Sequence, residues 1–318
     1  MTKRGSCMKN NIIVVALGRN CFGETFPEQK KNVKKAAQAV ADLIESKYRV
    51  VVTHSNGVQI GMIQTAMNEF SRLDSKYTVA PVSLCGAMSQ GYIGYDLQNA
   101  IRTELLNRGI YKTVSTIITQ VKVDPFDKAF NNPTKIIGRH MSKEDADTEE
   151  EKGNYVVNDG EGGYRRIIAS PRPIDIYEID AIRTLCEANQ VVIAAGGGGI
   201  PVLEQGTTLK GASAIIEKDY TAAKLADQLD ASTLLFLTET NQLHINQGTD
   251  KEEPIKRITA EEALALTRAD HFDPITTQPK MEASISFVTS APERRAIITH
   301  VDNALEAVKG KTGTIIRS

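Results

Sequence analysis

The sequence predicts an α/β protein in which a mainly parallel, doubly wound sheet is sandwiched between helices in three layers. Continuous apolar runs rich in β-branched residues, at 12–17 and 49–54, are typical of strands buried on both faces of a parallel sheet. Between them, apolar residues recur at helical spacing over 32–46. Strand, helix and strand in this order form a βαβ unit, and the alternation continues along the chain.

The same patterns predict the remaining elements. Further strands are expected at residues 113–121, 191–195, 214–216, 233–237, 296–299 and 314–316. Further helices are expected at residues 60–69, 92–107, 221–229, 260–268, 280–287 and 303–309. We expect one domain over 9–318, with a softer division between 9–211 and 212–318, and an N-terminal tail over 1–8.

One segment, 124–168, interrupts the alternation because it shows little periodicity. It contains Pro125, Pro133, a charged run over 143–152 and several glycines. The simpler interpretation is a long mobile loop. We favour an inserted lid, because long loops of this kind within compact domains are usually functional. The charged run itself is interpreted as a solvated face.

Composition narrows the function classes. The 318 residues include 38 basic and 39 acidic side chains, for a net charge of −1, which argues against nucleic acid or an anionic membrane as a partner. No run approaches the roughly 20 apolar residues of a membrane span. The four cysteines are dispersed, as in reduced cytoplasmic proteins. The five histidines show no metal-ligand spacing, so no protein metal site is expected.

Three glycine-bearing turns directly follow predicted strands: Gly18-Arg19-Asn20, Ser55-Asn56-Gly57 and the tetraglycine turn Gly196–Gly199. Ligands of doubly wound sheets bind beyond the carboxyl ends of the strands, where these turns lie. Glycine lets backbone N–H groups approach an anion. Consecutive glycines cost roughly 0.5–1 kcal/mol each in regular structure, so we expect a ligand to contact the backbone there. Neither a P-loop nor the common dinucleotide fingerprint is present.

Lysines adjacent to turns complete the pattern, namely Lys135, Lys218 and Lys280. An ordinary surface position is the competing interpretation for each. Lys218 carries the strongest signal, because Glu217-Lys218-Asp219 follows the short predicted strand 214–216. Phosphoryl transfer requires positioning and cancellation of negative charge, which lysines supply as point charges. The sequence therefore predicts a nucleotide-dependent phosphotransferase.

Ordered motifs extend this prediction over nearly the whole chain. They are Val-Ala-Leu-Gly-Arg-Asn (15–20), Thr-His-Ser-Asn-Gly-Val-Gln-Ile-Gly (53–61), Cys-Gly-Ala-Met-Ser-Gln-Gly-Tyr-Ile-Gly-Tyr (85–95), Thr-Gln-Val-Lys-Val-Asp-Pro (119–125), Asn-Pro-Thr-Lys-Ile-Ile-Gly (132–138), Ser-Pro-Arg-Pro (170–173), Gly-Gly-Gly-Gly-Ile-Pro (196–201) and Gly-Lys-Thr-Gly-Thr (310–314). In these motifs the chain resembles the carbamate kinases of the amino acid kinase family.

The resemblance implies a lid over the site, a homodimer, and the reaction ATP + carbamate ⇌ ADP + carbamoyl phosphate with Mg²⁺. It also implies that 9–211 binds carbamate and 212–318 binds the nucleotide. Lys135, Lys218, Asp219 and Lys280 would be catalytic. The substrate and phosphate would be bound by Gly18, Arg19, Asn20, Ser55, Asn56, Gly57, Gly196, Gly197 and Gly198. The nucleotide would be bound by Lys218, Thr238, Asn241, His244, Ile245, Thr277 and Lys280.

The chain departs from the family pattern in the phosphate loops. Arg19 and Ser55 replace glycines, the family's Asp-Lys-Asp has become Glu217-Lys218-Asp219, and 275–280 has lost the family's glycines. Arg19 could bind an anion, occupy the pocket or extend into solvent. These departures leave two alternatives to a carbamate kinase: a divergent enzyme for another small carboxylate or carbamoyl substrate, and a catalytically impaired ligand-binding homologue.

Overall fold

The computed structural model describes residues 11–74, 76–158, 160, 163–246, 250 and 252–318, so the predicted tail at 1–8 lies outside the described residues. The strands in chain order are β1 (Ile12–Leu17), β2 (Arg49–His54), β3 (Val114–Thr116), β4 (Gln120–Lys122), β5 (Lys135–Met141), β6 (Tyr155–Asn158), β7 (Tyr164–Ile168), β8 (Asp175–Ile176), β9 (Val191–Ile193), β10 (Ile200–Gln205), β11 (Thr208–Gly211), β12 (Thr233–Thr238), β13 (Leu243–Ile245), β14 (Glu253–Ile255), β15 (Arg257–Thr259), β16 (Arg295–His300) and β17 (Thr314–Arg317).

The α-helices in chain order are α1 (Phe26–Glu45), α2 (Gly57–Leu73), α3 (Val82–Asn107), α4 (Lys143–Glu151), α5 (Ile179–Glu187), α6 (Lys218–Gln228), α7 (Ala260–Arg268), α8 (Gln278–Thr289) and α9 (Ala304–Val308). Short 3-10 turns occupy Arg19–Cys21, Lys128–Phe130, Gly196–Gly198 and Val301–Asn303. Among the helices of the described residues, none is both long enough and apolar enough to span a bilayer.

The central sheet has eight strands in the order β15-β17-β16-β12-β1-β2-β9-β3. Its neighbouring strands pair in parallel, except that β17 runs antiparallel to β16. β1 alternates between the two faces: Ile13 and Val15 pack with α1, α3 and α9, whereas Val14 and Ala16 pack with α5, α6 and α8. Both faces are therefore covered by helices, which confirms the predicted three-layer α/β architecture.

The predicted strand 113–121 is in fact two strands in different sheets. β3 belongs to the central sheet, and β4 to a second sheet of order β11-β10-β4-β8. Between them, the buried side chain of Gln90 on α3 accepts a hydrogen bond from the Thr119 N–H at 2.8 Å and donates to the Thr119 carbonyl at 3.2 Å. The Thr119 carbonyl also accepts from the Ile200 N–H at 2.9 Å, so both backbone groups of Thr119 are paired where the chain leaves the central sheet.

The predicted strand at 214–216 does not form, because the chain makes only an isolated bridge there, between Ala214 and Ala169. The segment 124–168, hereafter the inserted segment, has more structure than its lack of periodicity suggested. It contains a three-stranded antiparallel sheet of order β5-β7-β6 together with α4, which the charged run forms. Ile137 and Ile168 anchor it by packing with Ile60 of α2 and Cys85 of α3.

The tetraglycine turn joins β9 to β10, and its glycines are required by close packing. Gly197, Gly198 and Gly199 have φ values of +65°, +90° and +83°, which side chains rarely adopt. A Cβ added to any of the four glycines would also overlap other protein atoms. The distance from this Cβ would be 2.2 Å to His54 Nε2 at Gly196, 2.0 Å to Asn56 Nδ2 at Gly197, 2.4 Å to the Ile216 carbonyl oxygen at Gly198 and 2.2 Å to Val121 Cγ2 at Gly199. The protein's own packing is therefore sufficient to require these glycines, and contact of a ligand with the backbone of the turn stays a prediction.

A matched pair of glycine substitutions tests this packing. Gly199→Ala should lower the free energy of unfolding by about 2–5 kcal/mol, because the new Cβ adds overlap with Val121 to the cost of a positive φ. Gly206→Ala is the control, since Gly206 has a φ of +64° but no protein atom within 4 Å of the Cβ position. It should lose only about 1–2 kcal/mol. Denaturant unfolding of both variants measures the difference, and equal losses would contradict the packing argument.

Candidate active site

Three predicted loops meet at the carboxyl edge of the central sheet. The first follows β1, the second follows β2, and the tetraglycine turn follows β9. Since β1, β2 and β9 are consecutive, parallel strands of the sheet, their ends open on the same side. The fold therefore brings together turns that are far apart in sequence, at the edge where doubly wound sheets bind ligands.

A buried carboxylate organises the charges at this edge. Asp219 is only 2% exposed and forms ion pairs with two ammonium groups, Lys218 through Oδ1 and Lys280 through Oδ2, the latter at 3.1 Å. Burial alone would raise the pKa of Asp219, but the two adjacent lysines outweigh it and hold that pKa below its ordinary value. Asp219 therefore stays ionised, and the three groups together carry a net charge of +1.

Lys135 reaches the same place from the inserted segment. It lies at the start of β5 and forms an ion pair with Glu217, the residue that precedes α6. Glu217, Lys218 and Asp219 are consecutive, so all three predicted catalytic lysines converge on one short stretch at the N-terminus of α6. The positive end of the α6 dipole adds to their field.

The lysine cluster (Lys135, Lys218 and Lys280) lies next to the tetraglycine turn. Thr221 on the first turn of α6 donates a hydrogen bond to the Gly198 carbonyl at 2.9 Å, and Gly198 packs against the Ile216 carbonyl. Gly198 and Gly199 donate the N–H groups that close the turn, to Ala195 and Gly196. The turn leaves the N–H groups of Gly196 and Gly197 unused in its own bonds, so these two can serve as anion donors.

The start of α2 offers a second place for an anion. Asn56 precedes the helix, but its side chain donates to Ser89 Oγ at 2.8 Å and makes no capping hydrogen bond. Gly57, the first residue of α2, has no protein atom within 4 Å of its Cβ position. The first N–H group of α2 that bonds to a carbonyl is that of Ile60, to Asn56, so the N–H groups of Gly57, Val58 and Gln59 have no acceptor among the described residues. The helix dipole favours negative charge at this end.

The first loop contributes shape more than hydrogen-bond donors. The Gly18 N–H donates to the Leu237 carbonyl at 2.9 Å, and a Cβ on Gly18 would lie 2.6 Å from Asn20 Oδ1. Arg19 forms an ion pair with Glu24 at 2.5 Å, and both side chains are about two-thirds exposed, at 66% and 69%. Arg19 thus extends into solvent in this structure, which is the third of the positions considered for its guanidinium.

The last residue of β2, directly before the second loop, is a buried histidine, His54, that sequence reasoning did not assign to the site. The His54 ring contacts the Ser55 carbonyl through Nδ1 at 3.0 Å and packs against Gly196 through Nε2. Burial, with a smaller contribution from Lys218, lowers the pKa of His54 to about 4. His54 is therefore neutral near pH 7 and leaves the charge of the cluster unchanged.

The Ser55 N–H donates to the Leu17 carbonyl at 3.0 Å, so it extends the pairing of β1 with β2.

Gln90 is a second site residue that sequence reasoning missed. Besides bonding Thr119, it donates to the Gly196 carbonyl at 3.1 Å and so fixes the tetraglycine turn to α3. Both His54 and Gln90 lie within the motifs at 53–61 and 85–95. Their roles depend on contacts between distant parts of the chain, which no local pattern reports.

Besides Lys218 and Lys280, the residues predicted to bind the nucleotide fall into two groups by position. Thr238, Asn241 and Thr277 form the first group, and His244 and Ile245 on β13 form the second. Thr277 immediately precedes α8, close in sequence to Lys280 of the lysine cluster. Asn241 belongs to the framework, because its Oδ1 accepts hydrogen bonds from Thr299 at 3.0 Å and Asn303 at 2.9 Å. Thr238 donates to the Thr240 carbonyl at 2.9 Å within the same loop.

The second group, His244 and Ile245, lies on β13. His244 contacts Glu252 at 3.1 Å, and Ile245 lines a cavity of about 1060 Å³ at the edge formed by β15 and β17. Lys256 and Lys311 also line this cavity, whereas none of the three clustered lysines does. This cavity is thus separate from the lysine cluster.

The pKa of His54 predicts a pH dependence of stability. In the unfolded chain the pKa returns to about 6.5, so between about pH 6.5 and pH 4 the unfolded state binds a proton that the folded state does not. The free energy of unfolding should therefore fall as the pH falls through this range, by up to about 1.4 kcal/mol per pH unit from this group. His54→Gln should lack this component when unfolding is measured across the range. An imidazole NMR resonance of His54 that titrates near pH 6.5 would contradict the assignment.

Comparisons with known proteins agree with this geometry. The model of the amino acid kinase family matches residues 11–300. The carbamate kinase-like protein YqeA of Escherichia coli (strain K12) is 45% identical over 304 residues, covering 96% of this chain and 98% of that protein. The carbamate kinase of Clostridium perfringens is 43% identical over 310 residues, covering 96% of this chain and 99% of that enzyme.

A solved structure shows the same relationship in three dimensions. The carbamate kinase from Giardia lamblia bound to AMP-PNP superimposes with a TM-score of 0.91 at 33% identity, covering 97% of this chain and 99% of that one. The family match spans the central sheet except β17, together with the inserted segment and the lysine cluster. This chain therefore belongs to the amino acid kinase family.

Proposed function

We propose that this chain is a carbamate kinase-like phosphotransferase that catalyses ATP + carbamate ⇌ ADP + carbamoyl phosphate. The observation that carries the proposal is the convergence of Lys135, Lys218 and Lys280 on consecutive residues beside the tetraglycine turn. The carbamate kinases among its relatives, which match over almost their entire length, support the same reaction.

The chemistry requires little covalent help from the protein. A carbamate oxygen attacks the γ-phosphorus of ATP, and the bond from that phosphorus to the bridging oxygen breaks, so the electron pair leaves with ADP. Negative charge is carried by the transferred group and the leaving oxygen throughout. The ammonium groups of Lys218 and Lys280 lie on either side of Asp219 and would offset this charge, while Lys135 would approach from the inserted segment acting as a lid.

The carbamate would bind between the loop that follows β2 and the tetraglycine turn, on the side of the lysine cluster away from the nucleotide. The N–H groups at the start of α2, after Asn56, and those of Gly196 and Gly197 are the candidate donors to the carbamate and phosphoryl oxygens. Gly18 and Asn20 would shape the same space. Ser55 would act through its backbone, and we assign Arg19 no contact with the substrate, because its side chain pairs with Glu24 in solvent.

The nucleotide would bind in the half of the domain after residue 211. One side of its site would be the segment 238–246, and the other side would be Thr277. Within the described residues, no group of three or more His, Cys, Asp or Glu side chains is placed to hold a metal ion. Mg²⁺ would therefore arrive with the nucleotide, held mainly by phosphate oxygens and water, as is usual for this ion. Its contribution would be neutralisation of phosphate charge.

Two further features of the described residues bear on the oligomeric state and the cellular location. We propose a homodimer, supported by exposed apolar side chains on α3, where Leu84, Met88 and Tyr95 lie at helical spacing. Such a stripe is suited to contact with a second copy.

We also propose a cytoplasmic location, supported by Cys21, Cys85 and Cys186, which are buried free thiols.

Lysine substitutions test the proposed reaction. Lys280→Met and Lys135→Met should each lower kcat for ATP formation from ADP, Mg²⁺ and carbamoyl phosphate by about 10²–10³-fold, because each removes a charge that stabilises the transition state. Lys280→Met leaves Asp219 paired with Lys218, so the fold should persist. Lys224→Met, in the middle of α6, is the matched control and should keep the parental rate. Absence of turnover in the parent, or full turnover in both variants, would contradict the proposal.

A further inference from the structure

A polar cavity lies between α2 and the inserted segment, away from the lysine cluster. Two adjoining spaces of about 80 and 330 Å³ share five lining residues, Gln64, Asn68, Arg72, Glu149 and Arg166. These five residues define what we call the α2 pocket. None of the residues predicted to bind phosphate or nucleotide lines it. The larger space falls within the size range of small-molecule sites.

Several buried polar groups in the α2 pocket have no hydrogen-bond partner. Gln64 is 8% exposed, and its side-chain amide makes no hydrogen bond to any residue that the structure describes. Asn68 Oδ1 is buried without a partner as well, and Arg166 Nε makes no hydrogen bond, with Glu149 Oε2 lying 3.4 Å away as its ion-pair partner. A buried polar atom such as Asn68 Oδ1 costs about 1–3 kcal/mol when left unpaired, and native interiors contain few such atoms. Their grouping around one cavity points to a ligand that supplies the missing partners.

The charges of the pocket are balanced, and this restricts the ligand. Three basic and three acidic side chains line the two spaces, Arg72, Lys152, Arg166, Glu69, Asp145 and Glu149. Several already pair with each other, Arg72 with Glu69 at 2.9 Å, Lys152 with Glu149 at 3.0 Å and Arg166 with Glu149 at 3.4 Å. Arg72, Glu69 and Lys152 reach solvent, whereas Arg166 and Glu149 are each 18% exposed. A ligand with a net charge would leave one unit uncompensated beside this inner pair.

We propose that the α2 pocket binds a small, net-neutral molecule that carries both a carboxylate and an N–H donor, of which a zwitterionic amino acid is the simplest. The Gln64 amide and the Arg166 guanidinium would donate to the carboxylate. Asn68 Oδ1 would accept from the ammonium group. One ligand would thereby supply a partner to each buried group that lacks one.

The pocket is connected to the lysine cluster through β5. Ile137 of β5 lines the smaller space and pairs with Arg166 of β7. Lys135 begins the same strand, two residues earlier. A bound ligand would therefore link α2 to the strand that carries Lys135. This consequence for catalysis rests on the proposed function, whereas binding to the pocket does not.

Isothermal titration of the nucleotide-free full chain tests the site. Glycine and L-glutamine are the net-neutral probes, and acetate and methylammonium carry the two charges separately. We expect saturable binding of at least one amino acid, with acetate and methylammonium weaker. Gln64→Leu should weaken amino acid binding about tenfold. Gln38→Leu, which changes an exposed glutamine on α1, should bind as the parent does.

Thermal unfolding separates loss of binding from loss of structure. Gln64→Leu replaces an unpaired amide with an apolar group of similar size, so its Tm should stay the same or rise. Asn68→Ala provides a second variant for the same titration if Gln64→Leu does not fold. The proposal is overturned if neither amino acid binds saturably, if acetate binds as tightly as glycine, or if the folded pocket variant binds as tightly as the parent.

Discussion

The buried carboxylate of Asp219 is the constraint on which the rest of the site depends. A charge with so little exposure is stable only when it is paired, and Lys218 and Lys280 provide that pairing from two different helices. The pairing works in both directions, because the carboxylate also keeps the two ammonium groups close together against their mutual repulsion. The entropic cost of ordering them is met during folding, so a phosphate would meet a cationic site that is already arranged.

The tetraglycine turn supports this arrangement by allowing close packing. Its missing side chains let His54, Asn56 and the start of α6 approach the turn more closely than any other residue type would permit. The backbone at the edge of the sheet is thereby fixed between the loops after β2 and β9 and the helix that carries Lys218 and Asp219. Because burial keeps His54 neutral, this packing brings no additional positive charge into the site.

Much of the fold could be predicted because buried parallel strands leave long β-branched runs, as in β1, β2 and β12. Other features depend on distant partners. The division of 113–121 into two strands requires Gln90 from α3, and the position of Arg19 is set by Glu24. In the inserted segment β6 is largely exposed and β7 is only half-buried, so these strands lack the apolar pattern on which strand prediction rests. The tetraglycine turn is conspicuous in the sequence, but its packing depends on His54, Asn56 and Val121, which no local pattern places beside it.

The most direct measurement is a crystal structure of the chain with Mg²⁺ and a non-hydrolysable ATP analogue. If Asp219 holds a preformed phosphate site, the terminal phosphate should lie within hydrogen-bond distance of Nζ of Lys218 and Lys280, with both still paired to Asp219. If the triphosphate instead lies in the 1060 Å³ cavity beside Lys256 and Lys311, with the cluster not in contact with it, the account is wrong.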